Sequence, residues 1–152
     1  MNYCIVGAAR SGIAAAKLAT RKGHNVFLTE LAPAENFQSA IEELSKLNNC
    51  KYEFGKNSDK AINNCDCIIT SPGVPPNAPI FIKAIKKGIP IISELEFASS
   101  QIQNPIVAVT GTNGKTTTTF LLSSIFNAMS IKNSVIGTTG IYIDGIRSDS
   151  DA

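Results

Sequence analysis

No run of this sequence is apolar for long enough to cross a bilayer. The chain opens directly on Tyr3-Cys4-Ile5-Val6-Gly7, without the basic and then apolar order of a secretory signal. It therefore reads as a cytoplasmic protein that makes no membrane contact. Charge of one sign is also scarce: 14 Lys and Arg stand against 12 Asp and Glu, a net charge of +2. There is no basic run and no interleaving of aromatic and basic residues, so nothing suggests a grip on a nucleic-acid backbone. Histidine occurs once, at His24 between Gly23 and a strand, where it reads as an exposed loop residue and not a general base. The four cysteines, Cys4, Cys50, Cys65 and Cys67, form neither a zinc knuckle nor a C-x-x-C redox pair, because Cys65-Asp66-Cys67 has the wrong spacing. They read as reduced core thiols.

What the chain does contain is an alternation of strand-like and helix-like segments in 152 residues, 43% of them hydrophobic. Strand patterns at 3–6, 25–29, 51–54, 67–70 and 90–92 alternate with helical ones at 12–22, 35–47 and 80–87, the last closed by Gly88. This order predicts an α/β fold with a parallel sheet covered by crossover helices, a Rossmann-like domain over residues 1–93. Lys17, Arg21 and Lys22 fall on the solvated face of its first helix. Residues 94–100 read as a short helical connector. A second α/β pattern then starts with the β-branched run Ile106-Val107-Ala108-Val109, a glycine loop and a helix over about 116–129. A strand at 134–136 and a small hairpin through Tyr142-Ile143-Asp144-Gly145 follow. Residues 94–152 are too few to cover both faces of a phosphate-loop sheet, so they read as the truncated start of such a domain in a fragment of a longer protein.

The strongest motif is Gly111-Thr112-Asn113-Gly114-Lys115-Thr116-Thr117. A triphosphate cradle needs glycines for unusual backbone angles, amides at a helix N-terminus, a lysine for the β and γ phosphates and a hydroxyl for magnesium. Gly111 and Gly114 supply the bends, Lys115 the cation and Thr116 the metal-binding hydroxyl, with further donors on Thr112, Asn113 and Thr117. The first glycine lies two positions later than in the commonest G-x-x-x-x-G-K-[ST] spacing, because Val109 belongs to the strand. ATP with Mg2+ is the ligand expected here.

A second glycine loop, Gly7-Ala8-Ala9-Arg10-Ser11-Gly12, lies between the first strand and the first helix, where a Rossmann fold holds a diphosphate. The middle glycine of G-x-G-x-x-G is Ala9, whose methyl group would crowd a closely approaching pyrophosphate, so a nicotinamide dinucleotide is disfavoured. Glu30 ends the second strand, at the position of a ribose- or base-binding acid. Ser71-Pro72-Gly73 sits at the carboxyl edge of the sheet, where open α/β folds collect ligands. Each has an ordinary alternative, as a solvated loop carboxylate and as a plain Pro-Gly turn.

The loop at 111–117, the opening Gly-x-x-x-Ser-Gly at 7–12, Ser71-Pro72-Gly73-Val74-Pro75 and the connector Ile92-Ser93-Glu94-Leu95-Glu96-Phe97 together resemble the Mur ligases of peptidoglycan synthesis. Asn113 and the Rossmann-like opening are most similar to the second-step, D-glutamate-adding branch, whereas Gly137-Thr138-Thr139-Gly140 is closer to the third-step ligases. The resemblance implies an ATP-dependent ligase acting on UDP-N-acetylmuramoyl-L-alanine and D-glutamate through an acyl phosphate, monomeric at full length. It also implies that Arg10 and Ser11 lie near the diphosphate and Glu30 and Leu31 near the uracil, with Gly7 among the substrate-binding residues. Ser71, Pro72 and Gly73 would line the same cleft, and Thr138 would face the muramoyl part. The resemblance places the other metal ligands and the amino-acid-binding domain beyond this chain, so the chain alone should not catalyse. A non-catalytic uridine-nucleotide-binding module is the rival of a different class.

Overall fold

The computed structural model describes residues 1–148 and divides into two compact units, Met1–Asn104 and Pro105–Ala152. In the first unit, strands β1 (Asn2–Val6), β2 (Asn25–Glu30), β3 (Cys50–Phe54), β4 (Cys67–Thr70) and β5 (Ile91–Ser93) form one parallel sheet in the order β3-β2-β1-β4-β5. Helices α1 (Arg10–Arg21), α2 (Gln38–Ser45), α3 (Pro79–Lys86) and α4 (Glu94–Ser100) make up the layers around it.

The central strand shows why the sheet is buried on both faces. Tyr3, Cys4, Ile5 and Val6 are all buried, and successive side chains point to opposite sides of a strand. Tyr3 and Ile5 join one core with Ile13, Ala16 and Ala19 of α1, Leu28, Leu44 of α2 and Phe97 of α4. Cys4 and Val6 join a second core with Ile68, Ile80, Phe81 and Ala84, the last three on α3. Chain order leaves β1 for β2 and β3 on one side and resumes at β4 and β5 on the other. The sheet therefore has a topological switch between β1 and β4, where a crevice opens at the strands' carboxyl ends.

The second unit packs helix α5 (Lys115–Ala128) against the first strand of an antiparallel sheet, β6 (Ser134–Gly137), β7 (Gly140–Ile143) and β8 (Ile146–Ser148). Phe120 and Tyr142 meet edge to face at 4.9 Å, and the Ser123 hydroxyl donates to Asn133 Oδ1 at 2.6 Å. Asp144 and Gly145, with φ of 49° and 83°, make the tight turn expected of an Asp-Gly hairpin.

Several sequence expectations need correction. The run Ile106-Val107-Ala108-Val109 is not a strand. It lies outside regular structure with Ile106 and Val107 largely exposed, since a β-branched run becomes a strand only beside a partner that completes its ladder. The helix expected over 35–47 is a 3-10 turn at Ala34–Phe37 followed by the shorter α2. Of the four free thiols only Cys4 and Cys67 are buried, with Cys50 and Cys65 partly exposed. His24 is half-buried, with its ring edge-on to Tyr3 at 5.3 Å.

Candidate functional site

A cleft of about 920 Å³ sits at the β1/β4 switch. Its glycine loop is set by steric necessity. Gly7 has φ of +109°, and its N–H donates to the Thr29 carbonyl at 2.9 Å. A Cβ at Gly7 would stand 2.7 Å from Ser71 Oγ, and one at Gly12 would stand 2.1 Å from the Gly7 carbonyl oxygen. Both glycines therefore allow the end of β1, the start of α1 and the end of β4 to approach more closely than any side chain permits.

The structure brings most of the expected ligand residues into this cleft. Gly7, Ser11, Glu30, Leu31, Ser71, Pro72 and Gly73 all line it, as does Ala9 in extended conformation. Arg10 is exposed at the start of α1 and is not among the lining residues. The first turn of α1 carries no acidic residue, and the carboxylate that lines the cleft is that of Glu30. Glu30 also has a second role. One carboxylate oxygen accepts the Ala8 N–H and the other the Ala32 N–H, both at 2.9 Å, so this side chain ties the glycine loop to the loop after β2.

Phe37, Asn57, Asn77 and Lys83 also line the cleft without standing out in the sequence, and Val74 of the Ser71–Pro75 motif joins them. The Pro-rich stretch after Ser71 was a signal for some of them. Asn57 and Lys83 gave none, since their placement depends on a loop and a helix returning to the same edge. Lys83 Nζ pairs with Asp59 Oδ1 at 2.6 Å, with both side chains mostly exposed.

Beneath Asn57, the buried Thr29 hydroxyl lies 3.0 Å from Glu53 Oε1 and 2.9 Å from Asn57 Oδ1. Burial disfavours the Glu53 charge, but the Ser58 hydroxyl and N–H, each donating at 2.7 Å, outweigh it together with Thr29 and hold the carboxyl below its ordinary range. A depressed folded pKa contributes stability that is present above the unfolded value of about 4.3 and is lost as pH falls through the folded value. Glu53→Gln is therefore expected to flatten the acid end of the stability curve, read from urea midpoints taken from neutral pH downward. An unchanged acid slope would show that the network does not favour the charged form.

In the second unit, Gly111 has φ of +142° and Gly114 has φ of +77° as the N-cap of α5. Lys115 Nζ bends back to donate to the Gly111 carbonyl and lies 3.5 Å from that of Thr112. Gly111 to Thr118 are exposed, and the first turn of α5 is free of acidic residues. Two glycines in left-handed backbone, a helix N-terminus and a cation curled over the loop fit a nucleotide phosphate chain. Among the described residues no cluster of three or more His, Cys, Asp or Glu could hold a metal. The exposed Thr116 hydroxyl could contribute to a metal site only in company with phosphate oxygens. Thr138 and Thr139 form the exposed two-residue tip between β6 and β7, flanked by the paired Gly137 and Gly140. No helix among the described residues is long and apolar enough to cross a membrane.

Residues 1–93 match the family of Mur ligase MurD-like N-terminal domains, and residues 109–152 match the Mur ligase middle domain. A UDP-N-acetylmuramoylalanine--D-glutamate ligase of Salinibacter ruber is 45% identical over 123 residues, 80% of this chain and 26% of that protein. The ligase of the same name from Clostridioides difficile is 34% identical over 149 residues, 97% of this chain and 33% of that protein. The chain thus spans between a quarter and a third of the length of these relatives. Among solved structures, a murein peptide ligase of Psychrobacter arcticus superposes with a TM-score of 0.53 at 22% identity, over 99% of this chain and 35% of that one. The UDP-N-acetylmuramate-alanine ligase MurC of Thermotoga maritima does so with a TM-score of 0.52 at 23% identity, over 89% and 31%. At these identities the two structures support the α/β fold alone.

Proposed function

Because the chain belongs to the Mur ligase family, we propose that it forms the substrate-binding and nucleotide-binding opening of an ATP-dependent ligase that adds D-glutamate to UDP-N-acetylmuramoyl-L-alanine in peptidoglycan synthesis. The observation that carries this reading is the presence of two distinct phosphate-suited loops in one chain. One lines a roomy cleft at a sheet switch point, and the other carries Gly-Lys-Thr at a helix N-terminus. The names of the relatives supply the substrates.

In this reading residues 1–93 hold the uridine end of the substrate and residues 94–152 open the ATP-binding domain. Ser11 and the first-turn amides of α1 face the diphosphate, with Arg10 beside them, and Gly7 forms the floor of the same cleft. Glu30 and Leu31 border the base, and Ser71, Pro72 and Gly73 form the opposite wall. Thr138 faces the muramoyl part. A bound ATP would supply a γ-phosphoryl group to the substrate carboxylate, leaving ADP, and the amine of D-glutamate would then displace inorganic phosphate from the acyl phosphate to form the amide. The part of this chain would be to bind and neutralise: Lys115 would exchange its own loop carbonyls for phosphate oxygens, the amides from Gly111 to Thr117 would cradle them, and Thr116 would offer its hydroxyl to Mg2+. The second reading is a third-step ligase, which the sequence Gly137-Thr138-Thr139-Gly140 resembles, whereas the relatives' names favour the D-glutamate step.

Calorimetric titration with UDP-N-acetylmuramoyl-L-alanine, UDP and NAD tests the reading. Ser11 is exposed and lines the cleft, so Ser11→Trp fills the site from its solvent side without entering the core. The uridine compounds are expected to bind and to weaken by at least about tenfold, roughly 1.4 kcal/mol, in Ser11→Trp, with no heat from NAD. NAD binding with inert uridine compounds would instead make the first unit a dinucleotide domain.

A further inference from the structure

We infer that Glu94 is a positioning residue of the cleft. By accepting the hydrogen bond of the Ser71 hydroxyl it fixes Ser71 Oγ as an acceptor against the glycine loop, so the ligand group seated there must be a donor.

Strand register brings the two side chains together. β4 and β5 pair Thr70 with Ser93, so Ser71 and Glu94 are each the next residue beyond that last rung. The chain turns into α4 at this point because the Ser93 hydroxyl caps the helix, accepting the Glu96 N–H at 3.0 Å. The turn carries Glu94 inward. It is 9% exposed, and no other Asp, Glu, Lys or Arg is buried among the described residues. An acid is seldom buried without a partner, and here the Ser71 hydroxyl donates to Glu94 Oε1.

The consequence reaches the cleft through Ser71, which is 5% exposed and lines it. Ser71 Oγ lies where a Cβ on Gly7 would be 2.7 Å away and one on Gly12 would be 3.2 Å away, so it is wedged against both ends of the glycine loop. A serine hydroxyl has one proton and two lone pairs. With the proton committed to Glu94, Ser71 offers only lone pairs to the cleft, and a bare phosphate oxygen placed against it would be repelled. For the uridine ligand class of the proposed function, on which this part rests, two groups bring a proton: a ribose hydroxyl and the imide N–H of the base.

The test has a ligand-free arm and a ligand arm. Without ligand, the backbone amide resonances of Gly7, Ala8 and Gly12 are compared in the parent protein, Ser71→Ala, Glu94→Gln and Glu94→Asp. A carboxamide can present either its oxygen or its NH2 to Ser71. Glu94→Gln is therefore expected to move these amides as Ser71→Ala does, with Glu94→Asp closer to the parent. With ligand, UDP, 2′-deoxy-UDP, 3′-deoxy-UDP and N3-methyl-UDP are titrated. One analogue, the one lacking the donor, is expected to bind about tenfold more weakly than UDP to the parent. Ser71→Ala should erase that difference and Glu94→Gln should shrink it, while both variants still melt cooperatively. Unmoved loop amides in Glu94→Gln overturn the positioning role, and discrimination that survives Ser71→Ala overturns the donor assignment. If UDP fails to bind the parent, the uridine reading falls together with the donor assignment, and the amide comparison still decides whether Glu94 sets the loop.

Discussion

Gly12→Ala is expected to destabilise the first unit by about 3 kcal/mol and to lower its thermal midpoint by more than about 10 °C. The added methyl group would stand 2.1 Å from the Gly7 carbonyl oxygen and 3.2 Å from Ser71 Oγ. The nearer contact is backbone, so no rotamer change relieves it. Relief requires α1 to move away from the end of β1, and α1 is held there by Ile13, Ala15, Ala16 and Ala19 in the main core. Gly7→Ala meets Ser71 Oγ at 2.7 Å and must also keep φ of +109°, a conformation unfavourable to any residue with a Cβ. Gly73→Ala is the internal control: nothing lies within 4 Å of its Cβ position, so its midpoint should stay within about 2 °C of the parent's. Circular dichroism melts of the three variants decide the matter. Coincident curves for Gly12→Ala and Gly73→Ala would mean that the glycine loop is not the close-packed junction described here.

That junction also shows what the sequence could disclose. Gly7 and Gly12 stood out because a strand, a glycine loop and a helix follow one another within a few residues, and local order of that kind is written in local sequence. The parallel sheet is legible for the same reason: strand patterns such as Cys67-Ile68-Ile69-Thr70 alternate with helical ones, and the burial of β1 on both faces follows from its continuous apolar run. Properties set by distant partners were not legible. The residues Ile106 to Val109 have strand composition but no ladder partner among the described residues, so propensity alone misled. Glu30 was read as a ligand acid or a solvated carboxylate. Its bonds to Ala8 and Ala32 are a third possibility, visible only once both loops are placed. Ser71 and Glu94 were each noted in a motif, yet their contact spans 23 residues and needed the β4–β5 register to appear. Asn57 and Lys83 reach the cleft from elements with no motif at all.

Lys115→Ala is expected to lower the ligation rate by about 10²- to 10³-fold, the scale at which loss of one preorganised group facing developing charge is felt. The chain covers 97% of its own length in alignment with the Clostridioides difficile relative and 33% of that protein's. The assay therefore exchanges the aligned segment of that relative for residues 1–152 and follows phosphate release that requires both the uridine substrate and D-glutamate. Lys115 is exposed, and among the described residues its ammonium group donates to the Gly111 and Thr112 carbonyls. Its removal should leave the melting midpoint in place, which separates a lost charge from a lost fold. The amides of α5's first turn and the bends at Gly111 and Gly114 survive the substitution, so nucleotide affinity should fall less than turnover does. Lys115→Arg should rescue poorly, because a broad planar fork cannot replace a compact ammonium group inside a loop that closes over one cation. Turnover within about twofold of the parent in Lys115→Ala would remove the lysine from phosphoryl transfer and leave the 111–117 loop as a turn without that chemistry.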